Sequence, residues 1–167
     1  MRIGLLGSLA LSTLSATAVL TGCSRAPAAA GFRLLRASDL KVLRALVPVV
    51  LVGELPAGEA AGAAVEETLH TLDNFLAHTS RVGQKQIAQL FDLLHMPATR
   101  YALAGLADDW DEASAADIAG FLDHWRGSRF DTLRMGYMAL TQMLNMMWYL
   151  QPRSWAAIGY VPPRVTG

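Results

Sequence analysis

Val65-Glu66-Glu67-Thr68-Leu69-His70-Thr71-Leu72-Asp73-Asn74-Phe75-Leu76 is the stretch whose reading decides the fold. Val65, Leu69, Leu72 and Leu76 recur at spacings of four, three and four, which is one stripe of a 3.6-residue helix. Most positions between them are polar. A helix over about 59–78 is predicted, and its stripe must be covered by another element. No part of the chain shows the strict apolar–polar alternation of a half-buried strand, so the covering elements are helices as well.

On the N-terminal side, Ser38 is the predicted N-cap of a helix carrying Leu40, Leu43, Leu46 and Val47. Pro48 kinks that helix or ends it near Val47, and Gly53 stops the apolar run that follows. On the C-terminal side, a helix from about Ser80 to His95 turns Ile87, Leu90, Phe91 and Leu94 inward. Pro97 suits the first turn of a short helix reaching Leu106, after which Asp108-Asp109-Trp110-Asp111-Glu112 reads as an acidic loop. Ser114 with Asp117 has capping-box spacing ahead of a helix presenting Ile118, Phe121, Leu122 and Trp125, which Gly127 ends. Ser128 with Asp131 opens the longest helix, to about Leu150, with Leu133, Tyr137, Leu140, Leu144 and Trp148 along its stripe. Pro152 is expected to end it, and an apolar, aromatic tail with extended backbone runs through Pro162 and Pro163. The expectation is an all-α fold, a single helical bundle of five to six helices with an extended aromatic, Pro-rich C-terminal tail.

The start of the chain reads differently. Met1-Arg2 precedes an apolar stretch, Ile3 to Val19, closed by Leu20-Thr21-Gly22-Cys23, and Cys23 is the only cysteine. This is the order of a secretory signal with a lipoprotein cleavage box. Thr21 and Gly22 are small enough for extended backbone to enter a peptidase, and the Cys23 thiol would take a diacylglycerol thioether. An uncleaved anchor or a core helix are the other readings, but Gly4, Gly7, Ser8, Ser12, Thr13, Ser15 and Thr17 dilute the hydrophobicity. Residues 1–22 are thus expected to be a signal peptide, 23–31 a flexible linker after a lipidated Cys23, and 32–167 the folded body. The body would stand on the periplasmic side of a bacterial membrane, held through its lipid anchor. Ser24 in place of Asp leans towards the outer membrane under enteric sorting rules, and inner versus outer stays open. With one cysteine there is no intramolecular disulfide and no thiolate metal site.

Fourteen Lys and Arg balance fourteen Asp and Glu overall. Residues 23–53 carry Arg25, Arg33, Arg36, Lys41 and Arg44 against Asp39; residues 54–123 hold all the acids but two of the fourteen; residues 124–167 carry five arginines against Asp131. Basic ends flanking an acidic midsection in the fold is the favoured explanation, with an arginine-rich docking face as the alternative. No basic cluster with interleaved aromatics points to nucleic acid.

Catalytic patterns are sparse. Glu67-Thr68-Leu69-His70 is a Glu-x-x-His, with Glu66 and Asp73 near the same face, but a di-metal bundle site needs a second such motif and further glutamates. A solvated acidic face explains it better. His78, His95 and His124 each end or nearly end a predicted helix, where the helix dipole favours them. There is no Gly-x-Ser-x-Gly, no Cys-x-x-Cys-His and no glycine-rich phosphate loop. No catalytic residue, metal ligand or cofactor is therefore expected. Met135, Met138, Met143, Met146 and Met147 crowd the longest helix, as core filler or as an adaptable interface.

The segment His124-Trp125-Arg126, Ser128-Arg129-Phe130, Leu133 to Leu140, Trp148-Tyr149, Pro152, Ser154-Trp155, Ile158-Gly159-Tyr160 and Pro162-Pro163 resembles the C-terminal half of small subunits of the gluconate 2-dehydrogenase subunit 3 type. Phe32-Arg33-Leu34-Leu35, with Asp39-Leu40 through Pro48, resembles their first helix. The resemblance implies a non-catalytic partner of a flavoprotein dehydrogenase large subunit of the glucose-methanol-choline type, in complexes that often include a cytochrome c subunit. Its role there would be assembly, maturation or export. Many such subunits carry a twin-arginine signal; here Arg2 stands alone. The expected partner-binding residues are Trp148, Tyr149, Trp155, Tyr160, Pro162 and Pro163, rimmed by Arg126, Arg129 or Arg153. The alternative is a stand-alone envelope lipoprotein acting as an α-helical interaction module.

Overall fold

The computed structural model describes residues 26–161, the side chains of residues 103 and 104 excepted. The lipoprotein box with Cys23, and Pro162 and Pro163, lie outside these residues. Within them the fold is all-α, with no strand. Five long helices form the bundle: α1 (Ala37–Val50), α2 (Ala60–Ala77), α3 (Arg81–His95), α5 (Ala115–Arg126) and α6 (Asp131–Tyr149). A short turn, α4 (Pro97–Thr99), runs into a π-helical turn (Arg100–Ala104), and α7 (Pro152–Ala157) follows α6. Among the described residues no helix is long and apolar enough to cross a membrane.

Helix α1 is the hub, touching α2, α3, α5 and α6. Its Leu40, Val42, Leu43, Leu46 and Val47 are buried, a wider face than one stripe, as a helix surrounded on several sides requires. It begins two residues earlier than its composition implies. Arg36, not Ser38, is the N-cap, because buried Asp39 accepts from the Arg36 backbone N–H at 2.9 Å and from its guanidinium at 2.9 and 2.7 Å. Asp92 of α3 closes on the same guanidinium at 2.6 Å. Pro48 does not end α1, which runs on to Val50. Pro48 faces solvent, so the carbonyl its ring leaves unbonded is on the wet side.

The other caps follow composition. Ser80 Oγ accepts from Gly83 N–H at 3.2 Å to start α3. Ser114 and Asp117 form a reciprocal capping box, 3.2 and 3.0 Å, to start α5. Helix α6 starts at Asp131, while Ser128 Oγ accepts from the Phe130 N–H in the preceding turn at 3.1 Å. Pro152 does not lead into extended chain: it is the first residue of α7, where its missing N–H costs nothing.

An aromatic ladder joins the C-terminal half to the hub. Trp110, from the acidic loop, is buried and donates its indole N–H to the Leu94 carbonyl at 2.8 Å. Its ring meets Phe121 edge-on at 5.5 Å, Phe121 meets Trp125 at 4.8 Å, and the Trp125 ring lies over Gly136 of α6.

Much of the uneven charge distribution is taken up by pairing within the fold. Lys41 of α1 reaches Asp109 and Asp111, Arg44 grips Glu66 at 2.6 and 3.0 Å, and Arg153 of α7 reaches Glu67 at 2.8 Å. Basic segments at both ends of the chain meet the acidic midsection, and each exposed pair contributes little alone.

Candidate partner-binding surface

The residues expected to bind a partner divide into three sets. Trp148 is 2 % exposed and belongs to the core. It sits on the buried stripe of α6 with Leu140, Leu144 and Met147, a placement its own spacing already implied. Tyr149, Trp155 and Tyr160 do come together. The Trp155 indole donates to the Tyr149 carbonyl at 2.9 Å, and the Trp155 and Tyr160 rings meet edge-on at 5.6 Å. Gly159, at φ 68°, supplies the left-handed turn that brings the Tyr160 N–H to the Trp155 carbonyl at 2.9 Å. The Tyr149 hydroxyl is raised above its ordinary pKa, first by desolvation and then by the Glu54 carboxylate to which it donates. These aromatics therefore largely bond to one another and to the body.

Arg126 and Arg129 are not on their rim. Both precede α6, whereas Tyr149 and Trp155 lie at or beyond its end, and its 19 residues span about 28 Å. Arg126 pairs with Asp123, and Arg129 lies over the Phe130 ring at 4.9 Å. Arg153 is beside the aromatics and is held by Glu67.

The methionines of α6 carry the stronger signal. Met143 and Met147 are buried, as core filler. Met135, Met138 and Met146 are 61 %, 51 % and 43 % exposed. At 100° per residue these three and Gln142 fall within one sector of about 80°, on the side away from Leu140 and Leu144. From Met135 to Leu150 there is no charged residue. From Met135 onward helix α6 is thus apolar on its inner face and uncharged on its outer one, with Asp131 and Arg134 confined to its first turn. Beside it, a groove of 310 Å³ between α2, α3 and α6 is lined by Phe75, Ile87, Ala139, Met143 and Met146. Composition announced the methionine cluster; helical position, with the burial that follows it, separates the two that fill the core from the three left outside.

The side chains that raised a metal reading have other partners. Glu66 is bound by Arg44 and held below its ordinary pKa chiefly by that hydrogen bond. Glu67 pairs with Arg153, and His70 stacks flat on Phe32 at 4.3 Å. Buried Asp73 accepts from the backbone N–H groups of Arg33, Leu34 and Leu35 at 2.6, 2.9 and 2.9 Å, pinning the chain entry onto α2. His78 caps α2, its Nδ1 2.7 Å from the Asn74 carbonyl. Among the described residues no three His, Cys, Asp or Glu gather as a metal site.

Compared with protein-family models, characterised proteins and solved structures, the chain matches none.

Proposed function

We propose that this protein is a non-catalytic, lipid-anchored accessory subunit that supports a periplasmic flavin-dependent dehydrogenase, and that it binds the flavoprotein large subunit through the outer face of α6. The uncharged, exposed Met135–Met138–Met146 face is the observation that carries the reading. Methionine is unbranched and polarizable, and is enriched at the cores of protein interfaces while charged residues are depleted. The resemblance over residues 32–167 supplies the class of partner, and a cytochrome c subunit would complete such a complex. Lipidation at Cys23 would hold the assembly at the membrane.

Co-expression with a flavoprotein dehydrogenase encoded beside this chain, followed by co-purification, tests the reading. Met138→Asp with Met146→Asp places two carboxylates in the interface. Each buried, unpaired charge costs about 2 kcal/mol or more, roughly thirtyfold in affinity, so the flavoprotein is expected to be lost from the purified complex. Both positions are exposed, so the variant's own melting should stay close to the parent's. Undiminished retention of the flavoprotein by the double variant would refute the α6 face as the docking surface.

A further inference from the structure

We infer that the end of the bundle around the first turn of α3 lies against an anionic phospholipid surface. The inference rests on lipid attachment at Cys23, as read above.

Reach comes first. The segment expected to be a flexible linker is part of the body from Ala26 onwards. The Ala29 N–H donates to the Leu35 carbonyl at 2.8 Å and the Phe32 N–H to the Ala29 carbonyl at 3.0 Å. Ala26 and Ala28 help wall a cavity of 260 Å³ together with Arg33, Leu76 and Gln84. Only three residue steps then separate Cys23 from the body, at most about 11 Å of extended chain. The headgroup layer on each side of a bilayer is itself about 5–8 Å thick. A body tethered so closely meets the headgroups with the end at which the chain arrives.

Charge is the second observation. Arg36, Lys41, Arg44, Arg100, Arg126, Arg134 and Arg153 all have carboxylate partners. Among the described residues Arg33, Arg81, Lys85 and Arg129 have none; Arg129 lies over the Phe130 ring, and the Arg33 guanidinium reaches only the Asn74 side-chain oxygen, at 3.3 Å, so three of the four belong to this end of the bundle. Arg33 lines the same cavity as Ala26, and Arg81 and Lys85 stand one turn apart on the flank of α3 next to Gln84 and Ala88, which line it too. The carboxylates in this region are already used: Asp92 and Asp39 by Arg36, Asp73 by the backbone of residues 33–35. Helix stability does not explain the placement either. Helix α3 has no acidic residue in its first turn, and cations there oppose the helix dipole.

Apolar exposure completes the surface. Between the two cations Val82 is 67 % exposed, and Leu34, beside Arg33, is 38 % exposed. Unpaired cations around exposed aliphatic groups fit an anionic headgroup layer, where each cation contributes about fivefold in affinity.

The test uses the full chain, purified with its lipid and reconstituted into phosphatidylethanolamine vesicles containing phosphatidylglycerol. With Cys23 acylated, an introduced cysteine is the only free thiol, so a fluorophore can be placed at Val82→Cys or at Met96→Cys. These sites are about 21 Å apart along α3. Headgroup-labelled nitroxide lipids should quench the fluorophore at Val82→Cys severalfold more than at Met96→Cys. Adding Arg81→Gln and Lys85→Gln should shift the docked-to-undocked ratio about 25-fold and remove most of that difference. An intact mass showing no acyl groups at Cys23 would overturn both the anchor and this inference. Acylated protein quenched equally at the two sites, or unaffected by the double substitution, would overturn this inference alone.

Discussion

Gly136→Ala tests the contact that joins α5 to α6. An ideal Cβ at Gly136 would lie 2.5 Å from Cζ3 and 3.0 Å from Cε3 of the Trp125 ring. Something must move. Trp125 is buried and packed edge-on against Phe121, which is packed against Trp110, so moving the ring disturbs the whole ladder. Overpacking of this kind costs about 1–3 kcal/mol. Against it stands the gain in helix propensity on replacing glycine by alanine, up to about 1 kcal/mol in a helix interior. The clash should win by up to about 2 kcal/mol. Gly120 is the matched control: it lies inside α5, and a Cβ there meets nothing within 4 Å, so Gly120→Ala should show the propensity gain alone. The two variants should therefore differ by the clash alone, about 1–3 kcal/mol, which for a chain of this size is on the order of 3–10 °C in Tm. Thermal melts of both variants, followed by circular dichroism with urea titrations for ΔG, make the comparison. If Gly136→Ala melts as high as Gly120→Ala, Trp125 has room, and the tight α5–α6 seam described above is wrong.

The helices were legible where composition and local chemistry agree. The 59–78 stripe is α2 within a residue at each end, the helix expected from about Ser80 is α3, and the Ser114–Asp117 box caps α5 as its spacing predicts. What sequence missed, it missed for lack of the third dimension. Arg36 is a poor cap by composition, and it serves because Asp39 and Asp92, far apart in sequence, meet on one guanidinium. Pro152 breaks one helix and begins another, and only its distance from Leu150 decides which reading holds. The candidate site divided along the same line. Nearness in sequence does not make one surface: Arg129 and Tyr149 sit at opposite ends of α6. Residue type alone could not split Trp148 from Tyr149, nor Met147 from Met146; heptad-scale position on α6 could, and burial follows it.

Two further predictions concern charge. Asp73→Ala removes the acceptor of three backbone N–H groups, all of them at least partly buried, and each unsatisfied donor costs about 1–3 kcal/mol. The expected loss is about 3–5 kcal/mol, seen in urea titrations, together with faster amide exchange at residues 33–35. A cost below about 1 kcal/mol would mean that the chain entry is not anchored there. The last prediction is acid sensitivity. Glu66 is held below its ordinary pKa chiefly by the Arg44 hydrogen bond, Asp109 by the Trp110 backbone N–H with Lys41 and Arg100 behind it, and Asp117 by the Ser114 hydroxyl and N–H. A carboxylate depressed in the folded state binds fewer protons folded than unfolded, so its contribution is complete above the unfolded pKa and fades as pH falls through the folded one. The unfolded values are 4.5 for Glu66 and 3.8 for the two aspartates, which puts the window below about pH 4.5. Solvent screens all three groups, so the effect of each is small and their sum is what is measured. The Tm should be nearly flat from pH 7 to pH 5 and then fall. Asp117→Asn should blunt the fall, because its cap no longer titrates, while an amide oxygen still accepts from Ser114. A Tm that holds unchanged down to pH 3 would mean that these carboxylates are as well satisfied in the unfolded chain as in the fold, and the pairing of the basic ends with the acidic midsection would then contribute nothing to stability.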